Sequence, residues 1–305
     1  MLRFVLLLAL AADVQSAVAA VDIDSAAAVY RDAAIREQVR ASLVGMPQQI
    51  RRLFEGDSQT KLNSEQLAAV TAAAKRGFRI DVFDAPALSA LAGNLDAATV
   101  KKTEAFLSSD VGRRMVAADV AVSSLDQAEI DKVMNGDIAV ATTLKRDAIL
   151  DKLQHASRST ESAVQIFLSM GTAVAVGTAV GAGTDPGPVQ ERSQKAGEAS
   201  RAALEEGMRA PLRRYLAYGY RDLRDSDLEQ VLSFMQSAAG KRYISAYIAS
   251  MDAGFNAMGR RCGEQLGESF RELAQAQLAT TQREEAAPPG IAKPDDAQPD
   301  VKPQP

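Results

Sequence analysis

The phrase FxxSxxGxR is written twice in this chain, as FLSSDVGRRM from Phe106 and as FMQSAAGKRY from Phe234. Sliding the chain against itself by 128 positions aligns more than the phrase. Leu95 meets Leu223, Ala118 meets Ala246 and Ala121 meets Ala249, while Val100, Met115, Val116 and Val120 meet Leu228, Tyr243, Ile244 and Ile248. Identities combined with apolar positions kept in phase predict a duplicated helical unit. Within each copy, Ser109 with Gly112 and Ser237 with Gly240 are expected to shape a turn. The glycine is expected to end the first helix in a left-handed or tight conformation that a side chain would hinder. The cation after it then begins the second helix, and the Phe packs back from the first.

The rest of the chain is read as helix as well. Alanine is abundant, tryptophan is absent, and polar and apolar residues rarely alternate, so strand signals are almost missing. Asn63 with Gln66, Ser124 with Gln127 and Ser226 with Glu229 carry the spacing of helix-start signals, a capping side chain three residues before Glu or Gln. Leu228, Val231, Leu232 and Met235 then recur at the spacing of a buried stripe. The pattern predicts an all-α helical bundle, with helices over roughly 24–45, 47–56, 64–78, 85–93, 96–110, 112–123, 125–157, 159–181, 188–222, 226–238 and 240–280. Two related multi-helix units, 21–157 and 158–283, account for the repeat.

The two ends read differently. Arg3, an apolar run from Phe4 to Ala12 and small residues up to Ala20 have the layout of a secretory signal peptide over 1–20, with the mature chain starting near Val21. The apolar run is about half the length that a spanning helix needs. At the other end, 284–305 holds six of the eleven prolines and almost nothing large and apolar, the composition of a disordered tail.

A capped helix leading to Phe, then SxxG, a basic residue and a second amphipathic helix, all behind a signal peptide, resembles the exported bacterial proteins grouped as domain of unknown function 2059. The pattern stands here in two copies, about 60–125 and about 200–270. It departs from the family phrase in having no proline in the turn, where Asp110 and Val111 stand in the first copy and Ala238 and Ala239 in the second. The resemblance implies an all-helical, periplasmic or otherwise exported module, and it carries over no catalytic residue.

Residues 162–184 contain no charge, are long enough to cross a bilayer, and set Gly177 and Gly181 at GxxxG spacing. Gln165 and several Ser, Thr and Gly residues dilute that signal. If the segment spanned a membrane, the two copies of the repeat would also face different compartments. Spanning is therefore disfavoured, and a central helix buried between the two halves is the expectation, with reversible membrane interaction as the alternative. Pro186 and Pro188 then mark a turn.

Chemistry is sparse. A net charge of −4 with mixed signs shows no basic face for nucleic acid. The lone Cys262 can form no internal disulfide, and its helical spacing with Met258 and Leu266 marks it as a packed residue. His155 is the only histidine, so zinc sites of His and Cys and a Ser-His-acid set lack material. No phosphate-binding glycine loop appears, and the sequence implies no catalytic residue, metal or cofactor. Glu264, Glu268 and Glu272 share one helix face and leave a carboxylate-based hydrolase as an alternative, although Arg260 and Arg271 nearby suit a salt-bridged surface. Asp222, Asp225 and Asp227 are explained by capping. Arg113 and Arg114, with Lys241 and Arg242 at equivalent positions, are candidates for contact with an anion or partner. Cations at helix starts oppose the helix dipole, so an internal bridge to an acid is the competing role. The function expected is an exported, non-enzymatic binding or structural module whose partner is a protein or cell-envelope component.

Overall fold

Short polar side chains set most of the helix starts in the computed structural model, which describes residues 21–56 and 62–286. The expected signal peptide, and the proline-rich tail beyond Ala286, lie outside the described residues. The helices are α1 (Ile23–Asp32), α2 (Ile35–Leu43), α3 (Met46–Gly56), α4 (Ser64–Gly77), α5 (Ile80–Asn94), α6 (Ala97–Leu107) and α7 (Asp110–Ser123). They continue as α8 (Gln127–Asn135), α9 (Leu144–Ala156), α10 (Ser159–Ala182), α11 (Gly187–Gly219), α12 (Asp225–Gln236) and α13 (Ala238–Ala286). No strand occurs among the described residues, and the architecture is an all-α bundle. Asp22, Asp96, Asp126 and Thr143 each accept a backbone N–H from the first turn of the following helix. Asn63 and Gln66 form a reciprocal capping box.

Several boundaries differ from the periodic reading, each for a local reason. The stretch 24–45 breaks at Ala34, which sits in the left-handed region at φ 50°. The stretch 125–157 breaks at Gly136, whose φ of 90° closes α8 as a left-handed cap. Ser124 ends α7 instead of starting α8, the cap falling to Asp126. Ser226 lies inside α12, whose start is organised by Asp227 accepting the Arg224 backbone N–H at 3.3 Å. α5 begins at Ile80, well before Pro86. The last helix continues through Ala286, three residues into the stretch assigned to the tail.

The repeated phrase forms the same turn twice. Ser109 Oγ donates to the Phe106 carbonyl at 2.6 Å and accepts the Gly112 N–H at 3.0 Å. Ser237 does the same with Phe234 and Gly240 at 2.7 and 3.0 Å. Each serine thus ties the end of one helix to the first turn of the next. The glycines, expected to close the first helix, lie instead inside the first turn of the second, and neither has positive φ. Their requirement is steric: a Cβ would come within 2.0 Å of the Phe106 carbonyl oxygen at Gly112 and 1.9 Å of the Phe234 oxygen at Gly240.

α13, 49 residues and about 73 Å long at 1.5 Å per residue, organises the packing. Along its middle it meets α5, where Phe83 is fully buried, lies edge-on to Phe255 at 5.4 Å and presses on Gly254. Farther along, α4 crosses it with Gly77 set on the Cys262 backbone. α10 runs parallel to α13 at close range: a Cβ on Gly177 or Gly181 would fall 2.3 or 2.1 Å from the Arg260 or Glu264 carbonyl oxygen. In return, a Cβ on Gly263 or Gly267 would fall 2.1 or 2.2 Å from the Val174 or Thr178 oxygen. The GxxxG of α10 is therefore used within the chain. Ser159–Ala182 is the one described helix long and apolar enough to cross a membrane, and only 22% of its most apolar window is buried. Burial between the two halves, the expectation for this helix, holds for one face only; Phe167 and Val180 are 48% and 49% exposed. One continuous core runs from Ala26 to Leu266 and draws on both stretches assigned to separate units.

Candidate functional site

The second helix of each repeated pair packs against the first helix of the other, α13 on α6 and α7 on α12. Phe106 and Phe234 stack between them. Beyond the stack, α7 and α13 face each other across a cavity of about 390 Å³, completed by α2, α9, α10, α11 and α12. Met115, Val116, Asp119 and Ser123 line it from α7, and Tyr243, Ile244, Tyr247 and Met251, each 128 positions later, line it from α13. Its walls are mostly apolar, and solvent-exposed Ser42 is among the lining residues, so the cavity opens at the surface beside α2.

One carboxylate faces this space. Asp119 extends from α7 into the cavity, where Tyr215, Tyr220, Tyr243 and Tyr247 also gather. Burial pushes the Asp119 carboxyl up to about 7, against the opposing pull of the Tyr220 hydroxyl. The phenols are held neutral. Burial and then the Asp119 charge push Tyr215 up to about 12, and the other three are raised as well, in each case with burial as the largest cause. Tyr215 donates to the Val122 carbonyl at 3.2 Å, and Tyr247 reaches Gln38 at 3.5 Å. Among the described residues, no Lys, Arg or His lines the cavity and none forms an ion pair with Asp119. A carboxyl that titrates near neutrality in an apolar pocket can accept a cation, donate a hydrogen bond when protonated, or move a proton.

The cations singled out from the sequence are not gathered into one site. Arg114 bonds Asp227 at 2.8 Å, and Arg242 bonds Asp96 at 2.7 Å. Each arginine of one repeat thus reaches an acid at the helix start of the other, the internal role weighed above. Arg113 bonds Asp110 and the Ser108 carbonyl, and Lys241 is exposed. The turn residues Ser109 and Ser237 border a shallow groove over the Phe stack with Lys102, Gln230, Val111 and Ala239, whereas Gly112 and Gly240 are buried behind them. Neither the three glutamates of α13 nor His155 lines the cavity. Glu264 pairs with Arg261, and Glu268 accepts from Gln265. Cys262 is buried, and burial pushes its thiol up to about 12, which leaves it unreactive near neutrality. Among the described residues, no group of three or more His, Cys, Asp or Glu side chains is placed to hold a metal ion.

Asp119 and the tyrosines are absent from the candidates drawn from the sequence, although two signals pointed to them. Five of the six tyrosines fall between Tyr215 and Tyr247, and Asp119 is a single acid within the otherwise apolar MVAADVAV. An isolated acid on a helix is ordinarily solvated, and only the fold turns this one inward. The chain matches no family model, and neither a curated protein nor a solved structure is significantly similar to it.

Proposed function

We propose that this protein is an exported, periplasmic helical binding protein that takes up an apolar small molecule in the cavity between α7, α11 and α13. The observation that carries the reading is the cavity itself. Its volume of about 390 Å³ falls in the range of small-molecule sites, and its apolar walls carry one charged group and a few hydroxyls, the usual composition of such sites. The duplicated unit fits the same reading, because a cleft between two copies of one helix pair gives a ligand two similar walls. The resemblance to domain of unknown function 2059 supplies the exported setting. A single carboxylate in the cavity argues against a two-carboxylate hydrolase there, which needs a second acid in an unequal environment.

Titration with an apolar fluorophore that brightens on burial tests the reading. Saturable binding is expected, and Val116→Trp, which fills the cavity from α7, should abolish it while the helical signal persists. An unchanged affinity in that variant would place the ligand elsewhere. Cell fractionation tests the setting, with recovery of the chain in the soluble exported fraction as the expected result.

A second reading, membrane association, is favoured by the half-exposed Phe167 and Val180 of α10. It is compatible with ligand uptake from a bilayer.

A further inference from the structure

We propose that the ligand of this cavity is an amphiphilic cation, an alkylammonium whose charged head sits at Asp119 among Tyr215, Tyr220, Tyr243 and Tyr247, with its chain along the Met, Leu and Ile walls. The inference rests on the binding reading above and names its ligand class.

Three observations converge on a positive head group. Among the described residues, Asp119 is the one acidic side chain lining the cavity, and no basic residue lines it. A carboxylate placed in apolar surroundings without a counter-ion is costly, so a protein that keeps one there gains most from a ligand that brings the charge. The surrounding groups point the same way. The Tyr220 hydroxyl bonds the carboxyl, and the rings of Tyr215, Tyr243 and Tyr247 line the same cavity, aromatic surroundings of the kind that suit ammonium groups. Tyr243 and Tyr247 are adjacent, their ring centres 6.2 Å apart and tilted by 51°. Finally, the walls are apolar where the head group is not. Leu153, Leu216, Met235, Ile244, Ile248 and Met251 line the remaining space, which suits a hydrocarbon chain and would leave a compact polar cation poorly satisfied.

The titratable groups around Asp119 are the phenols of Tyr215 from α11, of Tyr220 just beyond it, and of Tyr243 and Tyr247 from α13, with Gln38 from α2 on the same cavity. None of them becomes charged between pH 6 and pH 8. Occupancy by a permanent cation therefore follows the ionisation of Asp119 alone, and a bound cation draws the proton off.

Calorimetric titration of the full chain with octyltrimethylammonium, octanol and octanoate, each below its micelle concentration, decides the matter. The cation is expected to bind at least about tenfold more tightly than the alcohol at pH 8. Its affinity should rise about tenfold from pH 6 to pH 8, while that of the alcohol stays level. Asp119→Asn should erase the preference for the cation over octanol, with Tyr220→Phe as a milder second variant. Equal affinity for cation and alcohol, tighter octanoate, or a flat pH profile for the cation would overturn the inference and leave the apolar-ligand reading standing. Failure of all three probes to bind would overturn that reading as well. Because the pH profile is measured on the parent protein, the test survives a variant that fails to fold.

Discussion

The rings of Phe106 and Phe234 stack with their centres 4.0 Å apart and their planes within 5° of parallel, so equivalent residues of the two repeated phrases touch each other. Around that contact the relationship recurs, with Arg114 reaching Asp227 and Arg242 reaching Asp96. The stack should be worth more than its area. A double-mutant cycle of Phe106→Leu and Phe234→Leu, followed by urea unfolding, is expected to show a coupling of about 0.5–1.5 kcal/mol.

Glycine substitutions should divide sharply by position. Gly112→Ala and Gly240→Ala drive a methyl into the carbonyl oxygen of Phe106 or Phe234 and should each destabilise by about 2–3 kcal/mol. Gly171 in α10 and Gly207 in α11 have nothing within 4 Å of an added Cβ. There, alanine should stabilise by about 0.5–1 kcal/mol through helix propensity alone, as thermal unfolding would show.

Asp119 should give stability an unusual pH dependence. Unfolded, it titrates near 3.8; folded, near 7. Between those values the native state keeps a proton that the unfolded chain has released, so stability falls as pH rises through this window. Asp119→Asn removes the slope. Relative to the parent, the variant should gain on the order of 2 kcal/mol from pH 4 to pH 8, the figure being discounted for water entering the cavity.

The acids at the helix starts should act in the opposite sense. Asp227 is held below the ordinary carboxylate range chiefly by its bond to Arg224, and Asp96 by the Thr99 N–H and hydroxyl. Their contribution is present above pH about 4 and lost as pH falls below it. Asp227→Asn and Asp96→Asn should therefore lower stability at pH 7 and flatten the acid limb of the denaturation profile. Arg114→Gln should cost less than Asp227→Asn, because Arg224 remains on Asp227 at 3.0 Å.

The outer face of α10 offers a separate test. Phe167→Glu with Val180→Glu should be tolerated by the fold, since both side chains are about half exposed. If that face meets lipid, flotation with vesicles should fall at least about tenfold in the double variant, each charge carrying a cost of a few kcal/mol in hydrocarbon. Flotation unchanged from the parent would rule out this face.

The helical class, most of the helix centres and the turn residues of the repeated phrase were legible in the sequence, because capping and 3.6-residue periodicity act between residues a few positions apart. Breaks were less so. A left-handed residue such as Ala34 or Gly136 ends a helix without interrupting its apolar stripe, and the stripe was the signal being read. The glycines of the phrase show the same limit: the sequence marked Gly112 and Gly240 as special, but their proximity to a carbonyl of the preceding helix is a distance across a turn.

The sequence by itself determined that each phrase is a helix junction and that zinc sites of His and Cys and histidine triads lack material. Only the tertiary structure decided what the two phrases do together. It stacked Phe106 on Phe234, matched each repeat's arginine with an acid of the other, and set Asp119 opposite Tyr247 in an apolar cavity. The physical reason is one of range. Caps and periodicity are local, whereas the burial that moves the Asp119 carboxyl toward neutrality belongs to helices far apart in the chain, and no short window of residues contains it.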